Sequence, residues 1–266
     1  MRTKSALVTL LAVLVLASCG DDTTTDDGAA PTTTVAAAPA TSAPPATSQA
    51  VATTAAAGTT TSVVTVPPAS SDGQVVLEQP AIWPAADVVF ESPEAVAEDF
   101  VSKVLGVPPE LGPFQQGDSR SGEMEVFSLG EKDAGPPVFR GLLLLRQLGP
   151  DNGWFILAVA NENASITSPE SMAQVAAGPL TVEGVGRGFE ANVVVSAFVA
   201  GDAGAELDLA ITQGGAFETP EPFTVSLDLS GASPGDIVTL LVRGGVGLET
   251  DPGEFGAIPV VISGGS

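Results

Sequence analysis

The sequence predicts a mainly β protein: a small α+β domain at residues 75–164, then a β-sandwich at 166–262. Three observations predict it. From 166 to 262, apolar and polar residues alternate with period two, and glycine and proline punctuate the gaps every 8–12 residues or so. Between 92 and 160, one capped helical pattern is followed by three extended runs. Before residue 74 there is no globular pattern at all.

In chain order, Met1 to Ser5 carries Arg2 and Lys4 ahead of an apolar run from Ala6 to Ala17. A basic start, a short apolar core and small residues at its end are the layout of a secretory signal peptide, here 1–18. The run is too short to span a ~30 Å hydrocarbon core as a helix, which takes ~20 residues. The string Leu16-Ala17-Ser18-Cys19, with the only cysteine of 266 residues, resembles the lipobox of bacterial lipoproteins. That resemblance implies lipidation of Cys19, removal of the leader, and attachment to the outer face of the cytoplasmic membrane. Residues 19–73 are rich in Thr, Ala and Pro and have no large aromatic side chain. Such a segment buries too little surface to offset its ordering entropy, so a disordered tether of roughly 40 Å is expected. Ser/Thr-rich stretches with proline also suit O-glycosylated stalks, and both readings stay open.

Beyond Cys19, seven basic residues stand against all 32 acidic ones, a net of −25. Such a surface repels phosphate backbones, so nucleic acid is excluded as a partner. The abundance of Ala, Gly, Val and Thr with little lysine resembles proteins of high-GC actinobacteria.

In the first domain, Ser92-Pro93-Glu94 combines an N-cap serine, proline at the first helical position and an acid near the positive helix end. Val96, Phe100, Val101, Val104 and Leu105 then share one face, and Gly106 with Pro108-Pro109 ends the helix. Strands are expected at 123–129, 138–148 and 154–160, the last two joined through Asn152-Gly153, a hairpin signal. The consecutive leucines 142–145 suit a strand covered on both faces. In element order alone, this domain resembles cystatin-like domains. Gly117-Asp118-Ser119 looks like the surroundings of a serine nucleophile, but the chain has no histidine to act as base. It reads as a polar loop, and no catalytic residue is assigned. The longer string Gly117 to Glu123, with Arg146-Gln147-Leu148-Gly149 and the Trp154 strand, is similar to strings in actinobacterial exported proteins.

In the second domain, Leu180-Thr181-Val182 opens the sandwich, followed by strands at 192–199, 207–212, 223–230, 238–242 and 258–262. Period two is expected to turn Leu207, Leu209 and Ile211 inward, and likewise Phe223, Val225, Leu227 and Leu229. Gly201-Asp202-Ala203-Gly204 reads as a hairpin turn. Ser168-Pro169, Gly178 to Gly184 and Phe189-Glu190 resemble the bacterial spore-germination-associated immunoglobulin-like domain. The resemblance covers about 166–262 and implies an immunoglobulin-like fold, an envelope setting and no known catalytic residues. No GerM-type domain is recognisable upstream of it.

Site candidates are few. Phe189 and Glu190 read either as a ligand-facing pair or as a structural one. In the structural reading, which is favoured, Phe189 plugs the sandwich end and Glu190 answers Arg187 or a backbone amide. Glu249, Asp251 and Glu254 form an acidic loop without the spacing of a calcium loop, so a solvated loop is expected. No metal or cofactor is predicted, because His/Cys sites are excluded by composition and no phosphate loop precedes a helix. The function expected is a non-enzymatic envelope lipoprotein, a tethered binding or assembly module linked to sporulation or germination-type processes. Its expected partners are the membrane through Cys19 and envelope proteins or wall glycan, with no small-molecule substrate. The alternative is a carboxylate-dependent hydrolase of wall glycan, since two acids suffice for that chemistry.

Overall fold

The computed structural model describes residues 77–129, 136–216, 219–245 and 247–264, which fall in one compact unit. Cys19, the leader and the 19–73 segment lie outside the described residues.

Ser92 caps the first element as its sequence position requires: its hydroxyl accepts the Ala95 amide at 3.2 Å, with Pro93 at the first helical position. Helix α1 (Pro93–Phe100) runs on into a π-helical turn, Val101–Leu105, and stops at Gly106, which takes a left-handed φ of 72°. Val96, Ala97, Phe100, Val101 and Leu105 are buried. Thirteen strands follow among the described residues: β1 (Gln115–Gln116), β2 (Ser121–Ser128), β3 (Val138–Leu148), β4 (Gly153–Ala160), β5 (Ala164–Ser168), β6 (Gln174–Ala176), β7 (Pro179–Gly188), β8 (Asn192–Val199), β9 (Glu206–Gln213), β10 (Gly215–Ala216), β11 (Glu221–Asp228), β12 (Ile237–Gly244) and β13 (Phe255–Ser263). The chain is mainly β, with an immunoglobulin-like sandwich in its C-terminal part. The expected β3–β4 hairpin is present, and its turn uses left-handed Gly149 and Asn152.

The two segments share a sheet. One sheet runs β1-β2-β3-β4-β13-β12-β8-β9, with β6 beside β13, and β4 meets β13 where Val159 lies opposite Ala257. A smaller sheet, β10-β7-β11 with β5 beside β7, packs over the second half. Strand β13 serves both cores. Phe255 and Ala257 lie under the helix with Phe100, Met124, Leu143 and Ile156. Val260 and Ile262 face the sandwich interior with Val182, Val195, Leu227 and Leu240. Successive side chains on a strand point to opposite faces, so the cover of the large sheet changes face where β4 hands over to β13.

Two packing expectations need correction. Leu143 and Leu145 are buried under α1, but Leu142 and Leu144 are only half-buried, so β3 is not fully covered on both faces. In β9, Leu207 is partly buried against the sandwich core, while Leu209 is 44% and Ile211 69% exposed. The cause is a bulge. Ala197 pairs with Asp208 but Phe198 pairs with Glu206, which leaves Leu207 as the extra residue. A bulge shifts the alternation by one, so Ala210 turns inward and Leu209 and Ile211 outward. The Phe223 strand keeps its expected parity: Phe223, Leu227 and Leu229 are buried, and Ser226 is exposed.

Candidate functional site

Three strand ends, those of β7, β8 and β12, meet where β7 leaves the small sheet. Glycines make the approach close enough: a Cβ on Gly188 would overlap the Asn192 carbonyl and the Gly245 amide, and one on Gly244 would overlap the Arg187 carbonyl. Backbone bonds then tie the junction, Phe189 N to Gly245 O at 2.9 Å and Gly245 N to Asn192 O at 2.7 Å. A single 3₁₀ turn, Phe189–Ala191, links β7 to β8. Within it, Glu190 has φ 55° and Ala191 φ 59°. Two consecutive non-glycine residues in the left-handed region are uncommon and cost backbone strain. Directly before them, the Phe189 side chain is 48% exposed, beside Gly247.

For Phe189 the favoured structural reading is corrected. Phe189 does not plug the sandwich, and Arg187 pairs with Glu254 through Nε at 3.1 Å and a terminal nitrogen at 2.5 Å. Glu190 is exposed.

The acidic loop is also not simply solvated. Glu254 and Asp251 keep only 10% and 14% of their side-chain surface. Asp251 pairs with the guanidinium of Arg140, which also donates to the Ser128 hydroxyl at 2.8 Å. Asp251 Oδ1 accepts the Gly253 amide at 2.9 Å. Arg243 donates twice to the Pro252 carbonyl, at 3.2 and 3.0 Å. Burial lowers the pKa of that guanidinium and the charge of Asp251 opposes the shift; an arginine stays charged regardless. Glu249 remains exposed. Thus three of the seven basic residues beyond Cys19 hold one loop. Arg140 and Asp251 are 111 residues apart and Arg187 and Glu254 67 apart, so no local motif announces either pair. The only signal in the sequence is scarcity: few arginines are available to meet any partly buried acid.

The arrangement frames an open cleft of about 210 Å³, lined by Arg140, Arg187, Phe189, Asp251, Glu254 and glycines. Fixed guanidinium–carboxylate planes and an exposed ring can hold a ligand. Both carboxylates already have oxygens committed to guanidinium groups. The Gly117–Ser119 string is a polar loop, with Asp118 accepting the Arg120 amide at 2.7 Å; that bond holds the Asp118 carboxyl below its usual range. Among the described residues, no group of three His, Cys, Asp or Glu side chains could hold a metal, and no helix is long and apolar enough to cross a membrane.

Comparison with known proteins gives a family match. Residues 163–243 fit the family described as the immunoglobulin-like domain of bacterial spore germination. The match runs from the start of β5 through most of β12 and includes Arg187 and Phe189; the strap 245–254 and β13 lie beyond it. No curated protein and no solved structure matches the chain.

Proposed function

We propose that the chain is a non-enzymatic envelope lipoprotein. Lipidated Cys19 would hold it to the outer face of the cytoplasmic membrane, residues 19–73 would space it from the lipid, and the folded part would be a binding or assembly module. The Leu16-Ala17-Ser18-Cys19 string supports the anchor. The match at 163–243 names an immunoglobulin-like fold and a process, germination, and no reaction; it supports both the module and a place in sporulation or germination-type envelope events. The observation that carries the binding role is Phe189, a large apolar ring half in solvent, followed by two left-handed residues and lining a cleft. A wall hydrolase would need two carboxylates free to act on a glycosidic bond, whereas Asp251 and Glu254 are engaged by Arg140 and Arg187.

Two measurements test this reading. Cys19→Ala is expected to move the protein from the membrane fraction to the medium or to an uncleaved precursor. Normal attachment with normal mass would sink the anchor. A photo-crosslinking phenylalanine analogue at position 189, introduced in living cells, is expected to give discrete adducts that are absent when the analogue replaces exposed Thr224. Equal labelling at both positions, or none at either, contradicts a binding face at Phe189.

A further inference from the structure

We propose that the Phe189 cleft takes one neutral pyranose ring of an envelope glycan. This rests on the reading of the chain as an envelope binding module and names the ligand class of that site. The ring is presented at a cost. Left-handed Glu190 and Ala191 directly follow the half-exposed Phe189, and strain of this kind persists where the surrounding structure enforces it. Here the enforcement is the glycine-tight junction of Gly188, Gly244 and Gly245. At that same junction Gly188, Gly245 and Gly247 line the cleft together with the ring, which suits the approach of a flat body. The C–H face of a pyranose is such a body, and apolar contact with an aromatic ring stabilises it.

Polar recognition comes from the charged residues that line the same cleft. Each guanidinium carries five donors in a fixed plane. Arg140 is oriented by Ser128 and Asp251, and Arg187 by both oxygens of Glu254. Guanidinium and carboxylate held side by side offer neighbouring donor and acceptor positions, which suits vicinal hydroxyls. Size limits the ligand to about one ring, because 210 Å³ falls below the roughly 300–1,000 Å³ of pockets that enclose cofactor-sized molecules. Charge sets its sign. The cleft pairs each acid with an arginine, and the surrounding surface of a chain with net charge −25 beyond Cys19 repels polyanions. A neutral sugar fits better than a phosphate polymer or an acidic peptide.

The test uses the full mature chain in detergent and a neutral probe, the β-1,4-linked tetramer of N-acetylglucosamine, followed by calorimetry and by chemical shifts of labelled phenylalanine. Saturable binding is expected. Phe189→Ala should weaken it roughly tenfold, the scale of one lost aromatic contact, and Phe189→Trp should retain or tighten it. Arg187→Gln should weaken it as well; Phe189→Ala is the arm with the smaller folding penalty, since that ring is half in solvent, and thermal unfolding is recorded for both in parallel. An anionic tetramer of glucuronate should bind less well. No saturable binding of the neutral tetramer, undiminished binding by Phe189→Ala, or preference for the anionic tetramer would each overturn the assignment. Protein adducts at position 189 in cells without glycan binding in vitro would leave the binding module standing and replace its ligand class. Loss of both would remove the module too.

Discussion

The two halves of the large sheet solve one problem in opposite ways. In the β2–β4 half, helix α1 covers one face; in the β12–β8 half, a second sheet covers the other. The first cover is specified locally. Ser92, Pro93 and the spacing of Val96, Phe100 and Val101 would favour a helix wherever the chain went. The second cover has no local code. β7 and β11 pair over some forty residues of sequence, and their inner residues acquire meaning only when β12 and β13 lie beneath them. Because β13 contributes Phe255 to one core and Val260 to the other, the halves are expected to unfold together although their covers are independent.

The largest effect tests that coupling. Leu227 is buried on the sandwich side and Ser226 beside it is exposed. Leu227→Asp places a carboxylate among apolar side chains and should cost several kcal/mol, a large share of a total of roughly 5–15 kcal/mol. Ser226→Asp should cost well under ~1 kcal/mol. Both tryptophans, Trp83 and Trp154, lie in the helix-covered core, so their fluorescence reports on the half that is not mutated. Denaturant unfolding of Leu227→Asp should shift the tryptophan transition and the far-ultraviolet dichroism together. A tryptophan midpoint that stays put while the dichroism moves would show two independent units.

The halves also differ in how much of them is legible in the sequence. The helix, its cap and stop, strands 138–148 and 192–199, and the Asn152-Gly153 turn are written in local chemistry and are found where expected. The parity of β9 is not, because one extra residue at Leu207 inverts everything after it; Glu-Leu-Asp-Leu-Ala-Ile reads the same with or without a bulge. Short strands β5, β6 and β10 are not legible either, since two to five residues carry too little periodicity to register. At the candidate site, Phe189 and Glu190 stand out as a family-like pair. The arginines and glycines that frame them do not, because Arg140, Arg187 and Arg243 meet the strap through pairings that only the folded topology creates.

Ion pairs sharpen the comparison at intermediate scale. In the helix-covered half, Lys103 meets Asp99 at 2.8 Å one helical turn away, with the lysine 61% exposed. Such a pair contributes about 0.3–0.5 kcal/mol, and salt screens it. At the sandwich end, Glu254 is nearly covered and bound through both oxygens by Arg187. Arg187→Gln leaves that carboxylate without its cation and should cost about 2 kcal/mol, allowing for partial exposure. Lys103→Gln should cost under about 0.5 kcal/mol and lose most of its effect in 1 M salt. Measuring both in low and high salt by denaturant midpoint separates them. Similar costs with similar salt dependence would mean that the strap is held by surface charge and not by a desolvated pair.

A further pair of effects is expected to differ in sign between the halves. Ala97 lies in α1, fully buried at ordinary helical dihedrals. Ala97→Gly removes a packed methyl and adds backbone entropy to the unfolded chain, a loss of about 1 kcal/mol or more. Ala191 is the same residue type in the opposite circumstance, at φ 59°. A left-handed alanine is strained by roughly 1–2 kcal/mol, and glycine adopts that region freely. Ala191→Gly relieves the strain while making the unfolded chain more flexible by about 0.4–1 kcal/mol, so stability should hold or rise by up to about 1.6 kcal/mol. The gain would come from the strain that presents Phe189. The ring should become more mobile, seen as averaging of its aromatic resonances, and any ligand bound through it should bind more weakly to the more stable protein. If Ala191→Gly instead destabilises the fold as Ala97→Gly does, the left-handed turn is unstrained and Phe189 is exposed for no reason stored in the backbone.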